Sequence, residues 1–180
     1  MLEITIPETE YFDDENQCFI TMHEQKLRLE HSLVSLAKWE SKWHKPFLRK
    51  KSFTWEETID YVRCMTITQN VDPDIYYALT DKNIETIENY MAEKMTATWF
   101  RENGNRRPSS DVITAEIIYY WMIDLGIPME CEKWHLNRLM TLIRVCSEKQ
   151  SGGKKMSTKE ILKQNSALNA ARKQRLNSHG

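Results

Sequence analysis

Apolar and polar residues alternate at the start of the chain, then recur every three or four positions along most of the rest. Leu2, Ile4 and Ile6 alternate with polar neighbours, as do Phe19 with Thr21 and Leu27 with Leu29. A period of two belongs to strands that bury one face. The polar stretch His23-Glu24-Gln25-Lys26 is expected to turn between two strands, Pro7 to end the first, and the acidic run Asp13-Asp14-Glu15-Asn16 to form a loop. From Ser32 onward the period is helical. Ser32 can cap a helix whose stripe is Leu36, Trp39 and Trp43, with Pro46 as its stop. Thr54 with Glu57 three residues later is a capping box. Trp55, Ile59, Val62 and Met65 are the expected buried face of that helix. Proline at the first helical position places a short helix at Asp72-Pro73. Another helix is expected from about Thr80 to Glu93, with Ile84, Ile87 and Met91 inward.

Met95 to Phe100 reads as β and could return to the N-terminal sheet; Asn103 to Ser110 reads as a loop. Between Val112 and Leu125 almost every position is apolar, so the helix must be covered on all sides by its own domain or by a partner. Gly126 is placed to end it. A long helix is expected after Pro128, reaching about Lys149, with Leu136, Leu139, Met140 and Ile143 as its stripe. Ser151-Gly152-Gly153 reads as a flexible linker. Beyond it, Ser157 and Glu160 form another capping box, and lysine and arginine dominate. The expected fold is α+β and mainly α-helical: a small N-terminal β-sheet or hairpin, a helical domain, and a C-terminal helical arm. Residues 1–150 are expected to form a single domain and 151–180 a linker with a basic arm.

Composition narrows the functions. Hydrophobic residues are 41% of the 180, enough for a core, and the net charge of -1 argues against a nucleic-acid glove. The longest apolar stretch, Ile117 to Leu125, is too short to span a membrane, and the first residues do not read as a signal peptide. Cys18, Cys64, Cys131 and Cys146 show no paired spacing, which fits free thiols in a reducing cytoplasm.

Candidate chemistry is sparse. Cys131 and His135, four apart on one expected helix, could contribute to a zinc site, but a structural site needs four ligands. No Gly-rich phosphate loop and no nucleophile elbow is present. His31, His44 and His135 have apolar or aromatic neighbours and read as satisfied structural histidines. Acids such as Glu56-Glu57 and Glu130 with Glu132 read mostly as solvated helix faces. The helices around Leu125 to Pro128 resemble a helix-turn-helix, yet Glu130 and Glu132 would face phosphates and repel them. No catalytic residue, metal or cofactor is therefore expected, and the chain reads as a non-enzyme.

Aromatic residues carry the sharper reading. Three consecutive large side chains, Tyr119, Tyr120 and Trp121, cannot all face one core, and such residues favour binding hot spots. Trp134 and Arg138 join them as partner-binding candidates. In the tail, Lys154, Lys155, Arg172, Lys173 and Arg175 belong either to a solvated end or to an arm that orders on a partner.

The string itself carries a resemblance. Its blocks are Glu30-His31-Ser32-Leu33-Val34-Ser35-Leu36-Ala37-Lys38-Trp39-Glu40-Ser41-Lys42-Trp43, then Lys45-Pro46-Phe47-Leu48 and Met95-Thr96-Ala97-Thr98-Trp99-Phe100. Ile113 to Met122, Glu130 to Leu139 and Ala167 to Arg172 follow. From about Leu29 to the end, these blocks resemble a family of tailed-bacteriophage tail assembly chaperones, encoded near the tape measure protein of siphophage-like tails. The resemblance implies a small, largely helical protein of the host cell cytoplasm. It would bind the long helical tape measure, keep it soluble until tail-tube protein takes over, and act as a homo-oligomer, with neither membrane nor nucleic acid as partner. Two other readings stay open: a structural virion component, such as a head–tail connector or tail-completion protein, and a nucleic-acid-binding regulator that uses the basic arm.

Overall fold

The computed structural model describes residues 1–13, 17–100, 112–152 and Ser166. By contacts the chain divides into two units, Met1–Arg144 and Val145–Gly180. In the second, the described residues are the last turns of one helix and Ser166.

The first unit is α+β and mainly helical, as expected. Four strands open it: β1 (Leu2–Ile6), β2 (Thr9–Asp13), β3 (Cys18–Met22) and β4 (Gln25–Leu29). β1 pairs antiparallel with β4, with Ile4 opposite Leu27, and β2 pairs antiparallel with β3, with Tyr11 opposite Ile20. They form a two-stranded ribbon interrupted at Pro7-Glu8 and at His23-Glu24. Two expectations are corrected here. The segment 23–26 is no turn, because Gln25 and Lys26 pair with Ile6 and Thr5 in β4. Asp13 lies in β2 rather than in a loop; positions 14–16 fall outside the described residues. The alternation in β1 and β4 does bury one face: Ile4, Ile6, Leu27 and Leu29 are buried.

Helices cover that face. α1 (Leu33–Trp43) starts at Ser32, whose side chain accepts from the Ser35 amide while Ser35 Oγ accepts from the Ser32 amide. It ends at His44 in the left-handed conformation. α2 (Trp55–Met65) carries the capping box between Thr54 and Glu57. Ile59, Val62 and Met65 are buried as expected, but Trp55 is half exposed, and Tyr61 fills the core instead. Its ring stacks on Phe47 at 4.1 Å, and Phe47 meets Trp39 edge-on at 5.1 Å. A 3-10 turn over Pro73–Ala78, capped by Asp72, replaces the short helix expected there. α3 (Asp81–Ala92) is capped by Thr80 and buries Ile87 and Tyr90.

The segment Met95–Phe100 forms no strand, and Trp99 is exposed. Both edges of the β1–β4 pair have other neighbours. α3 packs along β1, and Asn83 Nδ2 donates to the Thr5 carbonyl at 3.2 Å. The other edge of β4 is engaged by the end of α2: the Glu30 amide donates to the Met65 carbonyl, and the Ile67 amide to the Arg28 carbonyl.

α4 (Ala115–Asp124) packs on α1. A 3-10 turn, Met129–Lys133, precedes α5 (Leu136–Gly152). The single long helix expected after Pro128 is thus corrected. Trp134 is extended, His135 forms a β-bridge with Ser32, and the Leu136 amide donates to the His31 carbonyl at 2.7 Å. Those bonds hold the chain straight for two residues, so the helix can begin only at Leu136. Leu136, Leu139 and Ile143 are buried. No described helix is long and apolar enough to cross a membrane.

Candidate functional site

α4 is fixed at both ends by backbone chemistry. Thr114 precedes it without a side-chain cap. The buried carboxylate of Glu40 on α1 does that work, with Oε2 accepting from the Ala115 amide at 2.7 Å. Its other oxygen accepts from the Phe47 amide at 2.8 Å, so one side chain ties together α1, the turn after it and the start of α4. A carboxylate at a helix N-terminus is also favoured by the helix dipole. At the far end Gly126 takes φ 65°, the Gly126 amide donates to the Ile123 carbonyl and the Ile127 amide to the Met122 carbonyl. This paired closure is a Schellman motif, and glycine suits its left-handed position.

With both ends held, the helix presents a defined outer face. Ala115, Ile118 and Met122 point into the core. At 100° per residue, Tyr120 and Asp124 fall opposite them, and Glu116 and Ile123 lie beside those two toward one flank. Tyr120 is 64% exposed and Ile123 70%, and both carboxylates are exposed. Tyr119 and Trp121 flank the helix and are half-buried. Tyr119 donates from its hydroxyl to Glu132 Oε2 at 2.8 Å, tying α4 to the turn that carries Met129 and Glu130, both exposed. Burial and then the Glu132 carboxylate push the Tyr119 phenol up to about 12. Glu116 is held below the usual carboxylate range by its own amide and then by the Thr114 hydroxyl.

The other sequence candidates scatter. Trp134 is half-buried, with the Arg138 guanidinium 4.1 Å from its ring centroid, a cation–π pair at the start of α5. Lys154, Lys155, Arg172, Lys173 and Arg175 lie outside the described residues. Ile123 was not singled out among the expected binding residues, although its place three residues after Tyr120 and one after buried Met122 marks it as outward.

Some of the polar groups that stand out in the sequence have structural partners and others do not. Cys131 and His135 do not share a helix: Cys131 is in the 3-10 turn and His135 in the extended segment before α5. The same break removes the helix-turn-helix, because Glu130, Glu132 and Lys133 do not begin a long helix. His135 donates from Nε2 to the Tyr90 carbonyl at 3.1 Å and accepts at Nδ1 from the Asn137 amide at 3.3 Å, which holds the ring in place. Its ring meets His31 edge-on at 5.3 Å. His31 Nδ1 and the Tyr61 hydroxyl share a hydrogen bond at 2.6 Å, and burial, followed by His135, lowers His31 to about 3. His44, by contrast, is exposed.

Several acids are also buried, contrary to the solvated reading. Glu57 accepts from Lys45 at 2.8 Å, Lys50 at 2.6 Å and the Thr54 amide at 2.9 Å; the Lys45 bond, then Lys50, then the amide hold it down at about 2. Asp60 receives Lys42 and the Trp43 indole. Glu56 and Glu130 are exposed as expected. Among the described residues no three His, Cys, Asp or Glu side chains stand together to hold a metal. A concavity of about 370 Å³ between the ribbon and the Pro73 turn is largely apolar, and the described residues that line it are Thr9, Met22, Asp74, Tyr77 and Ala78.

Compared with protein families, with curated proteins and with solved structures, the chain has no match.

Proposed function

We propose that this protein is a non-enzymatic binding protein that covers an apolar helical face of another polypeptide, acting as a tail assembly chaperone for a phage tape measure protein. The supporting observation is the outer face of α4, where Tyr120 and Ile123 stand in solvent on a helix clamped at both ends. A rigid helix presenting aromatic and aliphatic side chains binds without first losing the entropy of ordering its backbone. Fully covering a side chain such as Ile123 contributes roughly 1.5–3 kcal/mol. That is enough to hold a partner through several such contacts and still release it. The tape measure assignment comes from the sequence blocks quoted above. It fits a partner whose long apolar helical faces aggregate when uncovered.

The test is co-expression with the long helical protein encoded beside this one. The expected outcome is that the partner stays soluble only with the intact chain, and precipitates when Tyr120 and Ile123 are both serine. Equal solubility with and without this protein rejects the chaperone role. Stoichiometric retention of the chain in finished particles would favour a structural virion component.

A further inference from the structure

Of the surfaces that the described residues leave uncovered, the outer face of α4 carries the most specific chemistry, because it is apolar at its centre and acidic at its edge. α4 contains two carboxylates, Glu116 and Asp124, and no lysine or arginine. Both are exposed and lie on the same side as Tyr120 and Ile123. The adjoining 3-10 turn adds exposed Met129 and Glu130, and is tied to α4 through the Tyr119–Glu132 hydrogen bond. Among the described residues of α4 and this turn the one cation is Lys133, which is exposed, and Arg138 at the start of α5 is drawn onto the Trp134 ring. These two elements therefore carry more acid than base.

We infer that this face docks an amphipathic helix whose apolar stripe is bordered by lysine or arginine. The inference rests on the binding role proposed above and specifies its partner. Helix-in-groove recognition reads apolar residues at i, i+3, i+4 and i+7. Tyr120 and Ile123 supply an i, i+3 pair, and Met129 extends the surface beyond the end of the helix. Charges at the rim set orientation and choice of partner more than raw affinity. A helix with acidic borders would face Glu116, Asp124 and Glu130 across the contact, and would be rejected by like-charge repulsion.

The test uses two fluorescently labelled eighteen-residue helical peptides with one leucine stripe, bordered by lysine in one and by glutamate in the other. The full-length protein is titrated against each at low and at moderate salt. The lysine peptide is expected to bind at least about ten-fold tighter, a 1.4 kcal/mol preference. Hydrogen exchange should slow across 115–124 in the complex. Tyr120→Ser with Ile123→Ser should abolish both affinity and protection. Asp124→Asn with Glu130→Gln should keep the protein folded and bring the two peptides to parity; Glu116 is left in place because it also caps α4.

Equal binding of the two peptides by the unaltered protein overturns the inference, and so does binding of neither. Lysine-peptide binding that survives the Tyr120 and Ile123 changes places the contact elsewhere and overturns it too. Protection of 115–124 by zwitterionic lipid vesicles in place of peptide, or protection of the free protein that disappears on dilution, assigns the face to a membrane or to a second copy and likewise ends it. The chaperone role fails separately: it falls if co-expression leaves the neighbouring protein no more soluble, whatever the peptides do.

Discussion

α2 and α4 are nearly equal in length, and their sequences suggest opposite fates. α2, Trp-Glu-Glu-Thr-Ile-Asp-Tyr-Val-Arg-Cys-Met, is half polar; α4, Ala-Glu-Ile-Ile-Tyr-Tyr-Trp-Met-Ile-Asp, is apolar at eight of ten positions. In the fold α2 buries six residues, two of them carboxylates, whereas α4 buries three. Residue type alone does not decide burial. Glu57 and Asp60 can be inside because Lys42, Lys45, Lys50, the Trp43 indole and the Thr54 amide bring them charge and hydrogen bonds. Tyr120 and Ile123 are outside because α4 touches the body along one stripe and nothing described covers the other.

The largest effect that sharpens this contrast separates two tryptophans near α2. Trp39 is fully buried and its indole donates to the Glu57 carbonyl at 3.0 Å; Trp55 is half exposed. Trp39→Ala should cost about 3–5 kcal/mol of unfolding free energy. Trp55→Ala should stay within about 1 kcal/mol, since it loses only half-covered surface. Urea denaturation of both measures the difference, and similar losses would contradict the packing described here.

Glu40 joins the two regions and comes next. Replacing it with alanine leaves the Phe47 and Ala115 amides without their acceptor, a loss of about 2–5 kcal/mol. Glutamine keeps one strong acceptor but turns its amide toward a donor, so Glu40→Gln should lose less than alanine and more than a surface change. Faster hydrogen exchange in the first turn of α4, with α2 unaffected, would show that the carboxylate holds α4 in particular.

A smaller and graded effect follows from pH. His31 is lowered to about 3 in the fold against 6.5 when exposed, so the unfolded chain takes up the proton first. Stability contributed by neutral His31 is complete above pH 6.5 and is lost as pH falls toward 3, at about 1.4 kcal/mol per pH unit. Glu57, lowered from 4.5 to about 2, acts in the same direction at lower pH: its contribution is present above 4.5 and fades as pH falls toward 2. Denaturation at pH 7, 6, 5 and 4 should therefore show a slope that His31→Gln flattens by about one proton.

The legible part of the fold was set by local rules. The cap at Ser32, the box at Thr54, the Asp72-Pro73 start and the glycine after α4 each act on backbone groups next to them in sequence, and each is readable from sequence. The misreadings came from contacts distant in the chain. Nothing near Leu136 says that its amide meets the His31 carbonyl, so the break in the expected long helix was hidden. Nothing near Glu57 says that Lys45 and Lys50 converge on it, so it read as solvated. At the candidate site the Tyr119-Tyr120-Trp121 run was visible, because side chains 100° apart must point three ways. That Glu116, Asp124 and Glu130 border the apolar centre does not follow from the sequence, since it depends on which stripe of α4 meets α1.

The smallest expected change in stability tests the other half of the contrast. Tyr120→Ser and Ile123→Ser remove apolar atoms that already lie in water, so the fold loses almost no burial. Each should change unfolding free energy by no more than about 0.5 kcal/mol, as surface substitutions do. Ile118→Ser on the same helix should instead cost several kcal/mol, because Ile118 is fully buried and its replacement leaves both a void and an unpaired hydroxyl. The pairing removes helix propensity as an explanation: the same isoleucine-to-serine change is made on opposite sides of one helix, at positions 118 and 123. If Ile123→Ser destabilises the isolated protein as much as Ile118→Ser, then the outer face of α4 is already covered by this chain. In that case the surface available for a partner is not there.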